Sequence, residues 1–180
     1  VAVVPADRPS IVVDVCTGCG IVALLVGRER PRARVIGVDI DPATLRQALR
    51  TQALHGIENT EWIASDLFRA LGAPLESHCA VITANPPYCT AAELHSRPRW
   101  LKYAPVLAID GGSDGLGLLR RVAAGARQYL GEGGALVLQH GPGQDDAVSQ
   151  LCAGYGYAAI FRHRNVFGEF RFVSATWNGS

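Results

Sequence analysis

Five short apolar runs stand at residues 11–15, 34–39, 60–64, 79–84 and 135–139. The first is rich in β-branched residues and suits a central strand buried on both faces, the second and fourth also read as buried strands, and the third and fifth read as strands. Between them, apolar residues recur every three or four positions, which predicts helices over 21–30, 42–54, 67–71, 116–130 and 144–154. Asp41-Pro42 reads as an N-cap followed by proline at the first helical position, with Leu45, Ala48, Leu49 and Ala53 on one face and Gly56 as the stop. Pro31 follows the first helix, and Glu132-Gly133-Gly134 reads as a turn. Residues 89–115 read as one long loop. The chain closes with β runs at 157–162 and 170–177 around a hairpin at Asn165-Val166-Phe167-Gly168. Strands alternating with helices and ending in a hairpin predict an α/β three-layer sandwich. Its sheet is seven-stranded and mostly parallel, with an antiparallel C-terminal edge.

The length of 180 residues suits one domain over residues 1–180. With 48% hydrophobic and 18% charged residues the chain is globular. A net charge of +1 gives no strong electrostatic signature for nucleic acid. No signal peptide or membrane-spanning stretch is visible. The odd number of cysteines, five, at irregular spacing points to free thiols in a reducing, cytoplasmic compartment. Cys16-Thr17-Gly18-Cys19 has the form of a redox pair or half a zinc site, but no second half exists, and a glycine-rich turn accounts for it without a metal.

Chemistry concentrates where the runs end. Gly18-Cys19-Gly20 follows the first run and opens a helix, with Ala23 completing a G-x-G-x-x-A pattern. Asp39 ends the second run about 20 residues on, the usual spacing for a ribose-binding acid. Alone, this fits a dinucleotide, an adenosine-type cofactor or an empty tight turn. Asp14, before the turn, suits a methionine-like amino group and would repel a pyrophosphate. Asp66-Leu67-Phe68 after the third run offers an acid for an adenine amino group and apolar side chains for its faces. After the fourth run, Asn85-Pro86-Pro87-Tyr88 is a stiff hook, because two prolines fix two φ angles and the first holds Asn85 extended. The Asn85 side-chain oxygen and the Pro86 carbonyl can each accept one N–H of a planar NH₂, and the Tyr88 ring can lie against it. The bland alternative is an ordinary Pro-Pro turn.

These segments resemble class I S-adenosylmethionine-dependent methyltransferases. More closely, the chain resembles the HemK-type protein-glutamine N5-methyltransferases that modify peptide-release factors. The resemblance rests on 14–20, 38–42, 65–68 and 85–88, and on Gly111-Gly112-Ser113-Asp114-Gly115-Leu116 and Gly141-Pro142-Gly143-Gln144. It implies that S-adenosyl-L-methionine is the cofactor, with Asp39 on its ribose and Asp66 and Leu67 on its adenine. The full set assigned to the cofactor is Asp14, Cys16, Thr17, Gly18, Gly20, Asp39, Ile40, Asp66, Leu67 and Asn85. Asn85, Pro86, Pro87 and Tyr88 are assigned to the acceptor amide, with Asn85, Pro86 and Tyr88 catalytic, and no metal is assigned. The implied partner is a protein substrate such as a release factor. The chain departs from the family pattern at Cys16, usually glycine, and at Ala104, usually glutamate. Ten residues precede the first run, so an N-terminal recognition domain is expected to be absent or removed.

Two rival readings stand beside this one. The same hook suits an exocyclic amine of a nucleic-acid base or a small metabolite. A non-catalytic, degenerate member of the fold is the other. The cluster His95, Arg97, Arg99, Trp100 and Lys102 reads as a substrate-covering loop or a phosphate or RNA contact, and His140 as structural.

Overall fold

The computed structural model describes residues 2–96 and 103–179. Arg97, Arg99, Trp100 and Lys102 of the basic cluster lie outside the described residues. The strands are β1 (Ser10–Val15), β2 (Ala33–Asp39), β3 (Thr60–Ala64), β4 (Cys79–Ala84), β5 (Leu130–Gln139), β6 (Ala158–Arg164) and β7 (Phe170–Trp177). They form one seven-stranded sheet in the order β3-β2-β1-β4-β5-β7-β6. The pairs among β1 to β5 are parallel, and β7 pairs antiparallel with both β5 and β6. The helices are α1 (Ile21–Glu29), α2 (Pro42–His55), α3 (Ala91–Ser96), α4 (Gly117–Tyr129) and α5 (Asp145–Gly154).

Successive strand residues face opposite sides of a sheet, and β1 shows how the two layers are filled. Val12 joins a buried cluster with Ala23 and Val26 of α1. Val13 and Val15 join the opposite cluster, with Leu119 and Val122 of α4. The chain runs outward from β1 through β2 to β3, then returns to β4 on the other side of β1. That reversal opens a crevice beyond the carboxyl ends of β1 and β4, the usual ligand position in open α/β sheets.

Local chemistry sets the helix ends as expected. The Asp41 carboxylate accepts from the Ala43 N–H at 2.8 Å and caps α2, and Gly56 ends it with φ of +61°. Only Leu45 and Ala48 of α2 are buried, and Leu49 is exposed.

Several segments differ from expectation. Residues 67–71 form a turn, not a helix: Arg69 N–H donates to Asp66 O at 3.2 Å and Leu71 N–H to Phe68 O at 2.9 Å. Leu67 takes a φ of +50°, and Phe68 stacks on Tyr129 with ring centroids 5.4 Å apart. Phe68 fits because Gly125 of α4 lacks a Cβ, which would meet the ring at 2.6 Å. Burial of these side chains, not helical spacing, explains the apolar pattern. Glu132-Gly133-Gly134 lies within β5, but the register shows the chain turning out there: Cys79 pairs with Leu130 and Val81 with Ala135. The expected long loop carries α3 and a 3₁₀ turn at Val106–Ala108. It is also pinned to the hook, since Cys89 N–H donates to Ile109 O at 2.9 Å and Gly111 N–H to Cys89 O at 2.8 Å.

Candidate active site

A cavity of about 630 Å³ opens at the crevice, a size that suits a small organic ligand. Residues at or just beyond the ends of four successive strands line it: Asp14 and Cys16 to Cys19 at β1, Asp39 to Asp41 at β2, Ser65 to Leu67 at β3, and Asn85 and Pro87 at β4. Ile21 and Val22 of α1, Thr44 of α2, Leu118 and Arg121 of α4, Gln139 of β5, and Pro105, Leu107 and Ala108 complete the wall.

The turn after β1 is built around two carboxylates. Thr17 Oγ1 donates to Asp14 Oδ2 at 2.5 Å, and Thr83 Oγ1 donates to Asp14 Oδ1 at 2.6 Å. Asp14 is only 3% exposed. Burial pushes its carboxyl up to about 6 even though both hydroxyls oppose the shift. Asp39 accepts from the Gly18 N–H at 2.8 Å and from the Asp41 N–H at 3.0 Å. A carboxylate has about four lone-pair sites, so each acid keeps acceptor capacity toward the cavity. Gly18 adopts a φ of +58° to present its N–H, and Cys16 adopts +56°, a conformation glycine reaches more easily. Burial, then the charges of Asp39, Asp14 and Asp66, push the Cys16 thiol up to about 12, so it stays protonated at neutral pH. Gly20 serves packing: a Cβ there would collide with the Trp62 ring, and Gly20 does not line the cavity.

Asp66 is ion-paired with Arg121 of α4 at 2.8 Å, and both line the cavity. The pair is half-exposed and contributes little stability by itself, but it fixes where the Asp66 carboxylate points. Asn85 is exposed at the cavity wall, and its side chain makes no hydrogen bond to any other described residue. Pro87 lines the cavity, whereas Pro86 is buried and Tyr88 half-buried, and neither of these two is among the lining residues. Behind the hook, Gln144 Nε2 donates to Tyr88 O at 3.0 Å while its Oε1 accepts from Gly141 N–H at 2.8 Å. Gly111 packs so closely that a Cβ would lie 2.7 Å from Tyr88 Cα. The two glycine-rich segments at 111–116 and 141–144 therefore buttress the hook and leave the cavity itself free.

Three residues important here had gone unassigned: Arg121, Thr83 and Arg171. Their partners are 55, 69 and 83 residues away in sequence, and no local pattern reports such distances. A charged residue set among the aromatics of the last strand, as Arg171 is, was the one visible signal.

The sheet order, the glycine turn after β1 and the acids at the next strand ends define a Rossmann-like methyltransferase fold. A solved methyltransferase from Pyrococcus furiosus shares it, with a TM-score of 0.69 at 14% identity over 98% of this chain and 78% of that one. Residues 1–101 match the family model described as methyltransferase small domain, and the chain belongs to that family. Relatives named release factor glutamine methyltransferase include that of Thermodesulfovibrio yellowstonii (strain ATCC 51303 / DSM 11347 / YP87), 32% identical over 87% of this chain and 56% of the relative. A 4-amino-L-phenylalanine/4-methylamino-L-phenylalanine methyltransferase of Streptomyces pristinaespiralis is 34% identical over 78% of this chain and 47% of its own length. The chain thus spans about half the length of the curated relatives it matches.

The cavity fits the cofactor this family implies. Asp14 offers a carboxylate to an ammonium, Asp39 offers acceptors to a ribose diol, and Asp66 with Leu67 offers an acceptor and an apolar face to an adenine.

Proposed function

We propose that this chain catalyses methyl transfer from S-adenosyl-L-methionine to the side-chain amide nitrogen of a glutamine in a protein such as a peptide-release factor. The observation that carries the reading is the unengaged Asn85 amide, set in the wall of the same cavity as Asp14 and Asp39. Asp14, Thr17, Gly18, Asp39, Ile40, Asp66 and Leu67 hold the cofactor, which supplies an electrophilic methyl group when bound. An amide nitrogen is a poor nucleophile, since its lone pair is delocalised into the carbonyl. Asn85 Oδ1 and the Pro86 carbonyl accept its two N–H groups and turn the lone pair toward the cavity. The rate enhancement comes from positioning and preorganised dipoles. No base is needed before transfer, because the amide proton leaves afterwards.

Among the described residues no helix is long and apolar enough to cross a membrane. The five free cysteines support placement in the cytoplasm. The Streptomyces relative favours a second reading in which the acceptor is an exocyclic amine of a small metabolite. Methyl-labelled cofactor added to cell extract separates the two by whether label enters protein or small molecules. Asn85→Ala is expected to reduce transfer at least a hundredfold with cofactor affinity little changed, as loss of an oriented acceptor in a preorganised site implies. Transfer persisting within a few-fold removes Asn85 from the mechanism.

A further inference from the structure

Tyr88 is held at both ends. Its main-chain carbonyl is taken by Gln144, and its phenol oxygen accepts from Arg171 Nη2 at 3.0 Å. Arg171 is the second residue of β7, 83 positions away, and its side chain is largely buried. Its Nε donates to His140 O at 2.9 Å, and the His140 N–H donates back to Arg171 O at 3.0 Å. His140 is fully buried, follows directly on β5, and its ring nitrogen Nδ1 pairs with Gly141 O at 2.8 Å. The guanidinium therefore leaves a rigid ladder between β5 and β7 with one donor already committed to that ladder. Glu169, 3.9 Å away, is too distant to draw it off. A guanidinium presents its donors in a fixed planar fork, so committing one aims the next. The aimed donor meets Tyr88.

We propose that Arg171 is a positioning residue for the methyl acceptor, fixing the Tyr88 ring against which the planar amide lies. The inference rests on the proposed methyltransferase reading. It assigns the C-terminal hairpin a part in acceptor binding and none in cofactor binding. A donor-only partner also leaves the Tyr88 hydroxyl proton pointing away from Arg171, as a donor for whatever enters beside it.

The experiment has two arms. In the first, tyrosine is labelled with ¹³C at Cζ; the chain holds five tyrosines, and Tyr88→Phe assigns the resonance. Arg171→Lys is expected to shift the Tyr88 signal and leave the other four in place. An unmoved signal overturns the proposal. In the second arm, Arg171→Lys is expected to raise acceptor KM about tenfold, as loss of one charge-assisted hydrogen bond implies. The dissociation constant for S-adenosylmethionine should stay within about twofold, and in a Tyr88→Phe background the same substitution should add less than about twofold. Equal fold-changes in the two backgrounds mean that Arg171 merely ties the hairpin to the sheet, and the proposal falls. If label enters a metabolite and no glutamine, the glutamine reading fails alone, and both arms are read with that metabolite as acceptor.

Discussion

Cys16 carries a conflict that magnitudes resolve. Its backbone sits at φ +56°, where a residue with a Cβ is destabilised by roughly 1–2 kcal/mol relative to its right-handed alternatives. Replacing it with glycine relieves that strain but adds unfolded-state entropy, which costs roughly 0.5–1 kcal/mol. It also removes a thiol that packs on the core. The terms offset, so Cys16→Gly is expected to leave stability within about 1 kcal/mol, a melting shift of no more than about 2–4 °C. The cavity gains what the fold does not. The Cys16 side chain lines the wall beside Asp14 and Thr17, and its removal frees the backbone to approach a ligand. Calorimetry is expected to show S-adenosylmethionine binding several-fold tighter to the glycine variant. An unchanged dissociation constant places the thiol clear of the cofactor. The protonated state of that thiol also argues against the redox reading of Cys16-Thr17-Gly18-Cys19, since the thiolate is the nucleophile in disulfide chemistry.

At the scale of elements, the segment 111–116 is a buttress whose tolerance is small. Gly115 takes φ +73°, and a Cβ there would collide with both the Tyr88 carbonyl oxygen and Gln144 Nε2. Gly115→Ala therefore combines a strained backbone conformation with overpacking, at a cost of about 2 kcal/mol or more. Its melting point is expected to fall by at least about 4 °C. Acceptor methylation should fall more steeply than cofactor affinity, because the displaced groups belong to the hook. Equal losses in both would tie the segment to the fold as a whole. Elements of this kind divide what the sequence reveals from what it hides. The inner strands β1, β2 and β4 were legible because strands buried on both faces read as near-continuous apolar runs, whereas β3, at the sheet edge, keeps exposed positions. The ends of α2 were legible because caps are local chemistry. The turn at 67–71 was not, because Leu67, Phe68 and Leu71 are apolar for tertiary reasons and Phe68 depends on a missing Cβ in α4. The acids at the strand ends could be read from spacing alone. The residues that aim them and the hook (Thr83, Arg121, Arg171) could not, since each meets its partner 55 to 83 positions away in sequence.

At the scale of the whole molecule, Asp14 couples the fold to the cofactor through a proton. It lies in β1, an inner strand flanked by β2 and β4, where burial raises its carboxyl from 3.8 to about 6. Between those values the folded chain binds more protons at this site than the unfolded chain. The site therefore contributes stability that is fully present below about pH 4 and is lost as pH rises through about 6, by roughly 3 kcal/mol in all. Thr17 and Thr83 cap the loss by donating to the ionised form. A cationic amino group placed at Asp14 acts in the same sense and favours the carboxylate. Binding S-adenosylmethionine near pH 5.5 is then expected to release a proton, and the affinity to rise between pH 5 and 7. Calorimetry in two buffers of different ionisation enthalpy reads the proton directly. Asp14→Asn, which keeps an oxygen acceptor but cannot titrate, is expected to abolish both the release and the pH-dependence of affinity. If the wild-type chain binds the cofactor with no proton released at pH 5.5, the amino group does not reach Asp14. The carboxylate would then serve only to organise the turn through Thr17 and the β1–β4 crevice through Thr83.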